Sequence, residues 1–136
     1  MDKVFLDTNV VIDFLCERGN FYLPAAKIVV KAYHEEIELC CSAVTFATAS
    51  FLMERSKIET ETIFRKLADF CTLCSPVAVD RTTIERSLES EFTDFEDALQ
   101  HFAAVEAGAD YIITRNKKDF EHSILAVMEP QEYLNE

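Results

Sequence analysis

Short apolar runs at 3–7, 38–42, 76–79, 110–114 and 125–128 alternate along this chain with longer stretches whose apolar residues recur at helical spacing. Runs this short suit strands rather than buried helices. Strands divided by crossover helices pair in parallel, and a parallel sheet has to be covered on both faces. The pattern predicts a three-layer α/β/α architecture around a mostly parallel sheet of four or five strands, with right-handed crossovers. Helices are expected over 8–16, 23–36, 44–56, 59–74, 81–90 and 94–107. Two glycines and three prolines punctuate 136 residues, and no repeat, low-complexity segment or linker interrupts them. Connections are therefore expected to be short and residues 1–136 to form one domain.

The first strand carries a second constraint, because Val4, Phe5 and Leu6 end on Asp7, which is followed by Thr8, Asn9 and another apolar run. A carboxylate is thereby delivered to a strand's C-terminal tip, the edge where open α/β sheets bind ligands. Thr8 or Asn9 is placed to cap the helix that follows, which leaves Asp7 available for chemistry, with Asn9 ordering it by hydrogen bonding. Asp13, inside that helix, reads as a solvated or capping side chain. Downstream, Asp94 and Asp97 fall in the first turn of a helix whose Phe95, Ala98, Leu99, Phe102 and Ala103 share a face and which Gly108 stops. The helix dipole and an N-cap account for Asp94 but do not require a second acid at Asp97. Asp119 follows the strand at 110–114. Separated carboxylates returning to one crevice are what a hard divalent cation needs.

Composition narrows the partners. A net charge of −12 argues against broad attachment to nucleic acid, since each neutralised phosphate needs a Lys or Arg. It leaves room for a focused basic rim, for which Arg115, Lys117 and Lys118 beside Asp119 are the candidates, with Arg55 and Lys57 as a second cluster; solvated surface is the competing reading. No apolar stretch approaches the ~20 residues of a bilayer span, and the N-terminus lacks a signal-peptide layout, so a cytoplasmic location away from membranes is expected. The five cysteines fit buried thiols in a reducing compartment. Cys71 and Cys74 have metal or redox spacing, but no second such pair exists and this one ends a helix where a redox motif would begin one. His34, His101 and His122 lack zinc spacing and read as surface or packing residues. The phenylalanines read mostly as core, with Phe64, Leu67, Phe70 and Cys71 on one helical stripe.

Four segments stand together in order: Val4-Phe5-Leu6-Asp7-Thr8-Asn9-Val10, Ser42-Ala43-Val44-Thr45, Asp94-Phe95-Glu96-Asp97-Ala98-Leu99, and Thr114-Arg115-Asn116-Lys117-Lys118-Asp119-Phe120. In order and spacing they resemble PIN domains, most of all the small bacterial single-domain members that include VapC-like toxins of toxin–antitoxin pairs. The resemblance covers nearly the whole chain. It implies a Rossmann-like α/β/α fold and Mg²⁺- or Mn²⁺-dependent cleavage of RNA by in-line attack of activated water, leaving a 5′-phosphate and a 3′-hydroxyl. Carried over by position, the metal would be held by Asp7, Asp97 and Asn116 or Asp119. Asp7, Asp97 and Asp119 would be the catalytic acids, supported by Thr8, Asn9, Thr48, Asp94 and Thr114. It also implies an antitoxin protein and a homodimer.

One departure bears on activity. PIN nucleases carry a glutamate on the third helix, three residues after the threonine that opens it, and here that position is Thr48. No Asp or Glu occurs between Glu38 and Glu54. Glu54 lies about 240° around the helix axis from Thr48 and does not replace it. Thr48 offers a neutral oxygen, directly or through water, so the site would hold metal more weakly. The alternative expectation is thus a weakly active or inactive PIN domain that binds RNA, or a protein partner inserting Arg or Lys into the crevice. A phosphatase or phospho-receiver fits worse: the first would want a second aspartate where Asn9 stands, the second an acidic pair before its first helix and an aspartate ending the third strand.

Overall fold

A computed structural model describes residues 1–136. Five strands, β1 (Asp2–Leu6), β2 (Ile37–Ser42), β3 (Cys74–Val77), β4 (Tyr111–Ile113) and β5 (Ala126–Met128), form one sheet in the order β3-β2-β1-β4-β5. Every pairing is parallel. The helices are α1 (Thr8–Leu15), α2 (Gly19–Tyr33), α3 (Ala43–Arg55), α4 (Thr60–Leu73), α5 (Arg81–Leu88), α6 (Phe95–Glu106) and α7 (Pro130–Leu134). The three-layer parallel architecture is the one the alternating runs imply.

The inner strands are buried on both faces, and successive side chains feed different cores as their alternation requires. Val4 and Leu6 of β1, Leu39 and Cys41 of β2 and Ile113 of β4 join the larger core with Val10, Val11, Ile12, Ile28, Met53 and Phe70. Phe5, Cys40 and Ile112, one residue out of phase, join Ala103, Ala104 and Phe120 on the other face. Small alanines there let α6 approach the sheet closely. Gly108, at φ +73°, ends α6 in the left-handed conformation that glycine adopts without strain, with the Ala109 amide returning to the Ala104 carbonyl.

The structure corrects several sequence expectations. Helix α2 begins at Gly19 rather than 23 and runs through Pro24, because that ring removes only one amide donor while Ala25, Ile28 and Val29 are buried beyond it. The buried stripe of α4 is Ile63, Leu67 and Phe70, continued by Cys74, so Phe64 is 69% exposed. Of the eleven phenylalanines Phe5, Phe70 and Phe120 are fully buried and Phe14, Phe46 and Phe92 pack against the two cores, while Phe21, Phe51, Phe64 and Phe95 are exposed. On α6 the buried set includes Gln100 and His101, whereas Phe95 is exposed; the inward face is rotated by about one residue from the apolar pattern. A 3₁₀ turn, Lys117–Phe120, and α7 are too short to show periodicity in the sequence.

Candidate metal centre

Strand order reverses at β1: the chain adds β2 and β3 on one side and then places β4 on the other. A crevice opens beyond strand ends at such a switch point. Leu6 is in register with Ile113, so the next residues of the two strands, Asp7 and Thr114, face each other across it. The Thr114 hydroxyl donates to Asp7 Oδ2 at 2.8 Å. Asp7 is also the N-cap of α1, with extended φ and ψ and its Oδ1 accepting from the Thr8 amide at 2.8 Å. The capping role expected of Thr8 or Asn9 therefore falls to Asp7, because β1 passes into α1 with no other residue between them. Asn9 does steady it as expected: its side-chain amide lies 3.3 Å from Asp7 Oδ2 and 3.4 Å from the Thr114 hydroxyl.

A fourth donor comes from a residue not singled out in the sequence. Gln100 Nε2 lies 3.2 Å from Asp7 Oδ1, 2.9 Å from Thr8 Oγ1 and 3.3 Å from Thr45 Oγ1, and the two threonine hydroxyls are 3.0 Å apart. Gln100 and Thr45 are buried. The amide nitrogen, not the oxygen, must face Asp7, since an oxygen there would oppose the carboxylate. This network ties the tip of β1 to α3 and α6. Its one local signal is that Gln100 stands three residues after Asp97, on the same helical face. Burial pushes the Asp7 carboxyl above its usual range, the hydrogen bonds from Thr114, Gln100 and Thr8 pull it down, and Asp119 adds repulsion.

The remaining acids surround the same cleft. Asp94 is the N-cap of α6, accepting from the Asp97 amide at 3.0 Å. Asp97 is half-buried in the first turn, and Asp119 is exposed on the 3₁₀ turn after β4. Asp7, Thr8, Asn9, Asp94, Glu96, Asp97, Asn116 and Asp119 line a hollow of about 330 Å³. Desolvation, then repulsion from Asp119, Asp94, Asp7 and Glu96, pushes the Asp97 carboxyl up to about 7.

These donors suit a hard cation: charged and amide oxygens with no thiol or imidazole among them. Burial, and after it the repulsion of the neighbouring carboxylates, holds Asp97 up at about 7, and a divalent ion would relieve that repulsion. The carboxylates do not close into a cage of three. The hollow is open, and water or substrate oxygens would complete the shell, as is usual for Mg²⁺. Thr48 contributes no ligand to the hollow; its hydroxyl donates to the Val44 carbonyl at 3.2 Å. It stands on α3 between Thr45 of the buried network and Leu52 of the cleft wall, so its side of the helix faces the site.

The basic cluster is divided by the fold. Arg115 forms a two-point ion pair with Asp13, 2.6 Å at its closer contact, and covers the Phe21 ring at 3.9 Å. Asp13 is thus not the solvated or capping side chain expected: it is 1% exposed and satisfied by a residue on the far side of the sequence. Lys117 pairs with Glu132 at 3.1 Å. Of the three, only Lys118 opens onto a hollow beside Asp97 and Asp119. His101 packs between Phe92 and Phe102, as a packing histidine should. All five cysteines are free; Cys71 is exposed on α4 while Cys74 is buried in β3.

The fold and cleft define a Rossmann-like domain with an acidic crevice, and the PIN-domain family model matches residues 3–118. The chain belongs to the PIN-domain family. It is 23% identical over 137 residues to ribonuclease VapC1 of Aquifex aeolicus, spanning 97% of this chain and 93% of that protein. Its fold matches a chain of VapBC2 from Rickettsia felis bound to promoter DNA, with a TM-score of 0.69, 17% identity and coverage of 93% and 97%. VapBC-1 from nontypeable Haemophilus influenzae gives a TM-score of 0.70 at 17% identity, covering 95% and 98%. FitAB bound to a DNA fragment matches at 0.58 and 16%, covering 93% and 94%.

Proposed function

We propose that residues 1–136 act as one PIN unit that cleaves RNA phosphodiesters with Mg²⁺ or Mn²⁺ and serves as the toxin of a toxin–antitoxin pair. The observation that carries this reading is the meeting of Asp7, Asp97 and Asp119, from three distant segments, around one open hollow. Asp7, Asp97 and Asp119 would hold the cation, with the Asn116 amide oxygen as a neutral ligand. When bound, the ion supplies activation of water and charge stabilisation on the scissile phosphate. The chain's own contribution is orientation: four donors, from Thr8, Asn9, Gln100 and Thr114, fix the Asp7 carboxylate in a site walled by the sheet edge.

The ribonuclease name of the Aquifex relative supports the substrate class, and the VapBC and FitAB assemblies support an antitoxin partner. Such a partner would be favoured by a Lys or Arg reaching the acidic hollow. The homodimer implied by the resemblance belongs to the same proposal, and sedimentation of the purified chain tests it. No helix is long and apolar enough to cross a membrane, which is consistent with the cytoplasmic site of action this role requires.

Thr48 favours a second reading, a PIN domain that binds without turning over, because α3 brings no carboxylate to the cleft. Incubation of the purified chain with single-stranded RNA in Mn²⁺ separates the two. The ribonuclease reading expects fragments with 5′-phosphates that disappear in EDTA and in Asp97→Asn. Binding without cleavage would establish the second reading.

A further inference from the structure

The crevice is a difficult place for a polyanion. Five carboxylates line its main hollow, and the chain carries 25 Asp and Glu against 13 Lys and Arg. A single divalent ion offsets only part of that charge. An RNA strand must therefore find side-chain cations beside the metal, and the question is which of them are free to serve. Arg115 is not, because withdrawing it would leave the buried Asp13 carboxylate without a counter-ion. Lys117 is engaged by Glu132.

Two hollows meet at the acids. Asp94, Asp97 and Asp119 line both the 330 Å³ hollow that holds Asp7 and a neighbouring one of 240 Å³ that reaches to Phe92 and His122. The first contains one cation, Arg18; the second contains one lysine, Lys118. Neither forms an ion pair or a side-chain hydrogen bond within the chain. Arg18 stands at the N-cap of α2 and Lys118 on the 3₁₀ turn, both exposed.

We propose that Arg18 and Lys118, one in each hollow, hold the phosphates that flank the scissile one, so that an RNA strand crosses the Asp94–Asp97–Asp119 wall from one hollow to the other. They are positioning residues for the substrate, and the proposal rests on the ribonuclease reading above. Each contributes one direct phosphate contact. The basic contacts to the strand thus come from two separate segments, with Lys118 alone of the 115–118 cluster taking part.

The test is fluorescence anisotropy of a labelled single-stranded RNA dodecamer with the full chain in Ca²⁺, titrated across salt concentrations. Arg18→Gln and Lys118→Gln should each weaken binding several-fold at low salt and each reduce the slope of log affinity against log salt by about 0.7, as one lost single-strand phosphate contact does. The double variant should lose about 1.4, whereas Lys117→Gln should leave the slope unchanged. Wild-type binding with slopes unaltered in both single variants would overturn the assignment and leave the ribonuclease reading standing. A wild-type chain that does not bind the RNA would overturn the reading beneath it.

Discussion

Gln100 Nε2 and Asp7 Oδ1, 93 residues apart in the chain, lie 3.2 Å from each other and join the middle of α6 to the tip of β1. Replacing the glutamine with leucine keeps much of the volume and removes the donor. The Thr8 and Thr45 hydroxyls still have each other at 3.0 Å, so the loss falls on Asp7, buried with one donor fewer. We expect Gln100→Leu to lower stability by about 1–3 kcal/mol in urea denaturation and to weaken Mn²⁺ binding. Unchanged values of both would show the contact to be incidental.

Metal linkage gives a second expectation. A cation that binds only the folded chain stabilises it by about 2.7 kcal/mol at a hundred times its dissociation constant. Mg²⁺ or Mn²⁺ should raise the wild-type melting temperature, and Asp7→Asn combined with Asp97→Asn should abolish the rise without unfolding the protein. A metal response that survives in the double variant would place the ion elsewhere.

The pH dependence of the metal-free protein follows from Asp97. Its carboxyl rises from 3.8 to about 7 on folding, chiefly by burial and then by repulsion from Asp119, Asp94 and Asp7. Between those values the folded state binds more protons than the unfolded, so stability falls as pH rises through the window. Asp7, also raised, adds in the same direction. The difference in melting temperature between Asp97→Asn and wild type should therefore widen in favour of the variant from about pH 4 to pH 7. Mn²⁺ should reverse the wild-type trend, because ligand carboxylates must be deprotonated to bind it. Parallel pH profiles for the two proteins would contradict the crowding around Asp97.

Thr48 tests the departure from the family pattern. Its side of α3 lies between Thr45 and Leu52, against the cleft, so Thr48→Glu should add a charged oxygen, tighten Mn²⁺ in calorimetric titration and raise cleavage of RNA. Without metal the same change should destabilise the chain by repulsion with Asp7 and Asp97. Equal affinities would assign Thr48 to ordinary helix packing.

What the sequence disclosed and what it hid divide along the range of the signals. The strand ending on Asp7 and the helix opening at Asp94 and Asp97 are local patterns, an apolar run against an acid and a cap against an apolar stripe, and both survive in the fold. Gln100 is marked only by its place three residues after Asp97, and a glutamine inside a helix looks like solvent-facing filler until Thr8 and Thr45 arrive from other elements. Arg115 is the converse, a basic residue in a basic cluster whose partner Asp13 lies 102 residues away. Capping by Asp7 in place of Thr8 turned on a boundary of one residue, which propensity does not resolve.

A divalent cation held among Asp7, Asp97 and Asp119 underlies the proposed activity. Crystals soaked in Mn²⁺ and measured for anomalous scattering test it directly. We expect one strong peak in the hollow beyond the β1 and β4 tips, with carboxylate oxygens of Asp7 and Asp97 at about 2.1 Å, short of the distances a larger ion such as Ca²⁺ takes, and water completing the shell. No anomalous density at that position in soaked, well-ordered crystals, or a peak held by other residues, would contradict the account.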